Sequence, residues 1–131
     1  DCAEDYRGLN RVYLPLDTLA AHGASVDMLD GSSAPPGLRG ALAELARRTS
    51  ELTARGAALI PQIRDVRLGA EIAAIHALAR RLARDLESRD PLSERVHLGK
   101  TGFALVGGFG AARFLASAMM RSVGVRAKAP A

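Results

Sequence analysis

PGLRGALAELARRTSELTARGAALI, residues 36–60, is the stretch that decides the fold class. Leu38, Leu42, Leu45, Leu52 and Leu59 recur at three-, four- and seven-residue steps, which lays them along one side of a helix, while Arg39, Glu44, Arg47, Arg48 and Glu51 fall on other faces. A strand, whose side chains alternate from face to face, cannot gather these leucines on one side. The pattern predicts one long helix from Pro36 to Ile60, stopped by Pro61.

Toward the C-terminus, Asp65 is placed to cap a second helix running to about Ser88. Its stripe is Leu68, Ile72, Ile75, Leu82 and Leu86, with Arg80, Arg81, Arg84 and Asp85 elsewhere. The two stripes are expected to bury against each other in an antiparallel pair. A connection, SRDPLSERVHLGKTG (residues 88–102), leads to the apolar run GFALVGGFGAARFLASAMM (residues 102–120). That run is long enough to cross a membrane, but Arg113 near its middle costs about 2.5–3.5 kcal/mol on the insertion scale. A helix buried in the protein, or one resting against a bilayer, is therefore expected, with residues 121–131 a flexible tail beyond a domain of residues 1–120.

Toward the N-terminus, ASVDMLDGSSAPPG (residues 24–37) is a loop with one turn near Val26 to Leu29, and is expected to be the most flexible segment. LDTLAAHG (residues 16–23) is a brief helix closed by Gly23, and RVYLP (residues 11–15) an extended connection. Residues 1 to about 9 read as the last turns of a helix that begins upstream, stopped by Gly8 and Asn10. The whole reads as all-α, in keeping with abundant Ala, Leu and Arg and an aromatic content of only 4%.

Composition narrows the function classes. At 131 residues and 48% hydrophobic content, the chain is sized for one core. Its formal charge of +4 is spread over single and paired arginines, and Tyr6, Tyr13, Phe103, Phe109 and Phe114 lie at the two ends without a basic–aromatic rhythm, so no nucleic-acid partner is expected. Such a scattered positive balance fits anionic small ligands or an anionic membrane face. Cys2 stands alone, which excludes an intramolecular disulfide and points to a reducing, cytoplasmic compartment; no signal-peptide pattern opens the chain. No His/Cys metal pattern or Ser-His-Asp arrangement can be assembled, and the glycines of VGGFG (residues 106–110) follow no strand. His76 reads as a core histidine and His22 as a helix-end residue.

One cluster remains. Asp1, Glu4 and Asp5 fall at i, i+3 and i+4 and share one helical face. Helix ends are rich in such acids without any chemistry; the functional alternative is three hard oxygen donors for Mg2+, which keeps several waters and is often completed by substrate phosphates. DCAED (residues 1–5) followed by RVYLP resembles the second aspartate-rich motif of the squalene and phytoene synthases, the head-to-head trans-isoprenyl diphosphate synthases, at Asp1, Glu4, Asp5, Arg11, Tyr13, Leu14 and Pro15. ALIPQI (residues 58–63) and DPLSERVHLGKTGFAL (residues 90–105) extend the resemblance, the latter toward bacterial hopanoid-pathway members.

The resemblance implies an isoprenoid-synthase-type helical bundle, of which this chain is the C-terminal part. It implies condensation of two farnesyl diphosphates with Mg2+-assisted loss of diphosphate, squalene-forming in a bacterial hopanoid pathway, with phytoene formation the rival. It further implies Asp1, Glu4 and Asp5 as metal ligands, with Asp1, Asp5 and Tyr13 catalytic. Arg7, Arg11 and Lys100 are the diphosphate-binding candidates, and one residue more than the commonest pattern between Asp5 and Tyr-Leu-Pro leaves open whether Arg7 or Arg11 takes the family's role. Packing beside Pro15 is the alternative for Tyr13, a surface salt bridge for Arg11 and a solvated loop charge for Lys100. Gly107, Gly108 and Gly110 serve close helix packing or leave space for a prenyl chain. NADPH use is left open. The expected partners are isoprenyl diphosphates, an upstream half of the same chain carrying a first aspartate-rich motif, and a peripheral contact at the inner membrane face. A non-catalytic assembly protein of the same fold, or a generic helical interaction domain, is the reading from a different class.

Overall fold

The computed structural model describes residues 2–127, with side chains through Ser122. Five α-helices follow one another: α1 (Cys2–Leu9), α2 (Leu16–Ala21), α3 (Pro36–Gly56), α4 (Val66–Ser88) and α5 (Lys100–Ala127). Short 3-10 helices cover Val26–Asp30 and Ala57–Gln62, and no strand occurs among the described residues. The all-α expectation holds. The packing divides into two units, Asp1–Thr49 with Ala83–His97, and Ser50–Leu82 with Leu98–Ala131.

Helix ends in the first unit follow their sequence signals. Asn10 takes a left-handed φ of 49°, and its N–H reaches the Tyr6 carbonyl at 3.0 Å, which closes α1 in an αL cap. Gly23, at φ 65°, closes α2 in a Schellman motif: its N–H bonds Ala20 and that of Ala24 bonds Leu19. Pro36 opens α3 where a missing N–H costs nothing. The core joins Leu19, Leu29, Leu38, Ala41 and Leu42, with Cys2 and Tyr6 of α1 packed onto it one helical turn apart.

The loop expected to be most flexible is anchored. Leu29 is fully buried, and the Ala34 N–H donates to the Asp90 carboxylate at 2.9 Å. A Gly/Ser/Pro composition describes the freedom of an isolated segment; one apolar side chain at the right place in its turn is enough to tie it down.

Three expectations about the long helices are corrected. α3 does not reach Ile60, because Pro61 lacks the N–H that another α-turn requires; the chain tightens after Gly56 into a 3-10 helix that contains Pro61. The stripes are buried only in part: Leu38 and Leu42 of the α3 stripe are in the core, but Leu52, Leu59, Leu68, Ile72 and Ile75 are exposed, and Ala41 and Ala46 of α3, and Ala73, Leu78 and Ala83 of α4, are buried in addition. The apolar run is not buried within the described fold either, since Phe103, Leu105, Phe109, Met119 and Met120 are exposed. Residues 121–127, expected as tail, continue α5, and residues 128–131 lie outside the described residues.

Within the second unit, α4 and α5 meet at a glycine. A Cβ on Gly110 would lie 2.6 Å from the Ala73 carbonyl oxygen and 2.8 Å from the Ala77 Cβ, both rigid parts of α4. Gly110→Ala is therefore expected to force the helices apart, at a cost of about 1–3 kcal/mol read from the urea midpoint. Gly108, with open space around it, should accept Ala without such a loss. His76 is the half-buried core residue expected, its Nε2 2.8 Å from the Thr53 carbonyl.

Candidate active site

Glu4 and Asp5 are consecutive residues of α1. Glu4 is exposed and Asp5 half-buried. Neither carboxylate is engaged by a hydrogen bond or ion pair among the described residues, although Asp5 is held close to the core by its neighbour Tyr6. Asp1 lies outside the described residues, and no group of three His, Cys, Asp or Glu able to hold a metal occurs among the described ones. The two carboxylates in view are hard, unpaired oxygen donors, and this chemistry fits Mg2+.

The αL cap carries the chain back over this helix, so that the Arg11 N–H bonds the Asp5 carbonyl at 3.1 Å. Arg11 thus begins beside the acidic turn, with its side chain exposed. Arg7 is differently placed. Its Nη2 donates to the carbonyls of Leu29 at 3.0 Å and Gly31 at 2.9 Å, and its Nε lies 3.5 Å from the Asp30 carboxylate. The guanidinium therefore binds the last carbonyls of the Val26–Asp30 turn to α1, and its donors are largely taken.

Tyr13 is 69% exposed, so packing beside Pro15 does not account for it within this chain. Lys100 is exposed at the start of α5 and belongs to the second unit. The structure thus assembles Glu4, Asp5, Arg7, Arg11 and Tyr13 in one unit, which leaves Lys100 in the other.

Asp90 escaped the sequence reading as a residue of consequence. Its Oδ2 accepts from the Ala34 N–H and from the Ser93 hydroxyl at 3.0 Å, and its Oδ1 accepts from the Leu92 N–H at 2.9 Å. The Asp-Pro-x-Ser order of residues 90–93 carried the local signal of an Asx turn; the long-range bond to Ala34 had none. Burial pushes the Asp90 carboxyl up, but the Ala34, Leu92 and Ser93 donors and the positive charge of Arg39 outweigh it, and the group is held below its ordinary value of 3.8.

A depressed folded-state value means that Asp90 adds stability above the ordinary value, and that this share is lost as pH falls through the lower, folded one. Asp90→Asn puts an NH2 against one of two backbone N–H groups and is expected to cost about 1–3 kcal/mol at neutral pH. The difference from wild type in urea midpoint should shrink as the solution is acidified below that range. Glu44 behaves in the same sense, drawn down first by its 2.6 Å bond to His22 Nε2, which fixes the end of α2 to α3, and then by Arg48 one turn along the same helix.

Comparison with known proteins gives these residues a context. A family model described as squalene/phytoene synthase matches residues 1–101. A hydroxysqualene synthase of Rhodopseudomonas palustris is 50% identical over 111 residues, 85% of this chain and 38% of that protein. A hydroxysqualene synthase of Zymomonas mobilis is 42% identical over 113 residues, 84% of this chain and 38% of that protein. A phytoene synthase of Thermus thermophilus is 34% identical over 98 residues, 75% of this chain and 34% of that protein. The chain therefore spans little more than a third of the length of these relatives. No solved structure matches it.

Proposed function

Because the chain belongs to the squalene/phytoene synthase family, we propose that the complete protein is a prenyl transferase that condenses two farnesyl diphosphates head to head to presqualene diphosphate with loss of one diphosphate and, where NADPH supplies a hydride, carries it on to squalene with loss of the second. The observation that carries the site assignment is the pair of unengaged carboxylates, Glu4 and Asp5, on a helix whose next cationic residues divide their work. Arg7 is committed to the Val26–Asp30 turn, and Arg11 has an exposed side chain beside the acidic turn. Of the two, Arg11 is the one free to reach a diphosphate.

Asp1, Glu4 and Asp5 would hold Mg2+, which supplies positive charge against a departing diphosphate. The carboxylates orient the ion-bearing end of the substrate, and Arg11 donates to diphosphate oxygens as charge grows on them. Tyr13, two residues on, has an exposed phenol. Exclusion of water from the cation left behind requires an apolar chamber.

The names of the Rhodopseudomonas and Zymomonas relatives favour a second reading. In it the complete protein ionises presqualene diphosphate, and water rather than hydride captures the cation, which yields hydroxysqualene without NADPH. One experiment separates the two. Full-length protein is given radiolabelled farnesyl, presqualene or geranylgeranyl diphosphate with Mg2+, with and without NADPH, and the lipid products are resolved. Presqualene diphosphate or squalene from the first substrate supports the condensation; hydroxysqualene from the second alone supports the alternative; phytoene from geranylgeranyl diphosphate, or no diphosphate release at all, overturns both.

A further inference from the structure

The segment from Val26 to Ala34 is gripped from two sides, by α1 and by the connection that follows α4. On one side the Arg7 guanidinium holds the Leu29 and Gly31 carbonyls at 3.0 and 2.9 Å. On the other, the Ala34 N–H donates to Asp90 Oδ2 at 2.9 Å. Only Ser32 and Ser33 separate the two grips, and three residue steps of trans peptide reach no further than about 10 Å. The backbone here is tightly folded: a Cβ on Gly31 would lie 3.2 Å from the Ser33 carbonyl oxygen and 3.3 Å from that of Met28. A shift at Ala34 therefore has little slack in which to fade before it reaches the carbonyls that Arg7 holds.

Asp90 is itself firmly set. Its N–H reaches Glu94 Oε1 at 3.3 Å, the Glu94 N–H returns to the Asp90 carbonyl at 2.9 Å, and Arg89 Nε holds Glu94 Oε2 at 2.8 Å. Leu92 packs on the same core as Leu29, Cys2 and Tyr6. Arg39 of α3 lends Asp90 a positive charge, and its Nη1 is buried without a hydrogen-bond partner, so the carboxylate also offsets a cation withdrawn from water. The local turn needs only the Leu92 and Ser93 donors to be closed. The bond to Ala34, 56 residues away, adds nothing to that turn and serves the segment that Arg7 holds.

We propose that Asp90 is a positioning residue for the acidic helix: by fixing Ala34 it fixes the carbonyls that Arg7 grips, and with them the setting of Glu4 and Asp5. This rests on the reading of those carboxylates as metal ligands, and one arm of the test needs no metal. In full-length, metal-free protein, D90N should speed amide hydrogen exchange in residues 2–9 and 26–34 about fivefold, the factor by which loss of one hydrogen bond tilts a two-state balance. With farnesyl diphosphate, D90N should raise the Mg2+ concentration for half-maximal diphosphate release by a similar factor, and leave the rate at saturating Mg2+ within about twofold of wild type. D90S, whose hydroxyl still serves the Leu92 N–H but falls short of Ala34, should match D90N in both. Combining D90N with R7A should raise the Mg2+ requirement by less than the product of the single effects, since both act through one link. A73G, which weakens α4 in the other unit, should lower the melting temperature and move neither quantity. Exchange in residues 2–9 that stays at the wild-type rate in D90N and D90S overturns the proposal. So does a Mg2+ requirement that is unchanged in both while D5A loses its Mg2+-dependent release, or one that A73G raises equally. D5A with wild-type Mg2+ dependence overturns the carboxylate reading, and the proposal with it.

Discussion

Asp5→Ala in the complete protein is expected to lower Mg2+-dependent diphosphate release by about two to three orders of magnitude, roughly 3–4 kcal/mol of transition-state stabilisation, with little change in melting temperature. The asymmetry follows from the structure. The Asp5 carboxylate has no hydrogen-bond partner or ion pair among the described residues, so its removal orphans nothing. Its backbone carbonyl, which holds the Arg11 N–H, survives the substitution. Arg7→Ala should do the reverse, leaving the Leu29 and Gly31 carbonyls without their donor and costing about 1–2 kcal/mol of stability, with a far smaller effect on turnover. Product assays and thermal melts on the two variants separate ligand from clamp. An Asp5→Ala enzyme that turns over like wild type removes the carboxylate assignment.

Leu29→Ala should produce the largest loss of stability, about 2–5 kcal/mol in urea unfolding. Leu29 is fully buried among Leu19, Leu38 and Leu42, and sits in the turn whose carbonyls hold Arg7. A cavity at this position loosens the core and the attachment of α1 together, so the loss should lie in the upper part of that range. Mixed double mutants test the linkage: Leu29→Ala with Arg7→Ala should cost less than the sum of the single losses, because both act on one contact. A loss below about 1 kcal/mol for Leu29→Ala would show that the loop is not the anchor described above.

The two units carry the candidate residues unequally. Glu4, Asp5, Arg11 and Tyr13 stand with α1 and its cap, whereas Lys100 and the exposed apolar side chains of α5 belong to the other unit.

Much of this was legible in the residues themselves. The leucine spacing of α3, the Asp65 cap whose Oδ1 accepts the Leu68 N–H at 2.8 Å, the glycine that closes α2 and the proline that opens α3 are local signals, each satisfied within a few residues of chain. Family membership was likewise carried by short motifs, DCAED and RVYLP, read in order. Three other features had to wait for the fold: which side of each helix is buried, that Arg7 is a clamp and Arg11 free, and that Asp90 reaches Ala34. The reason is that periodicity counts apolar residues on a face but does not say what lies opposite. Burial on α4 went to Gly69, Ala73 and Leu78 because the α5 backbone approaches there, and Arg7 found its acceptors 22 and 24 residues away, a distance no local pattern encodes.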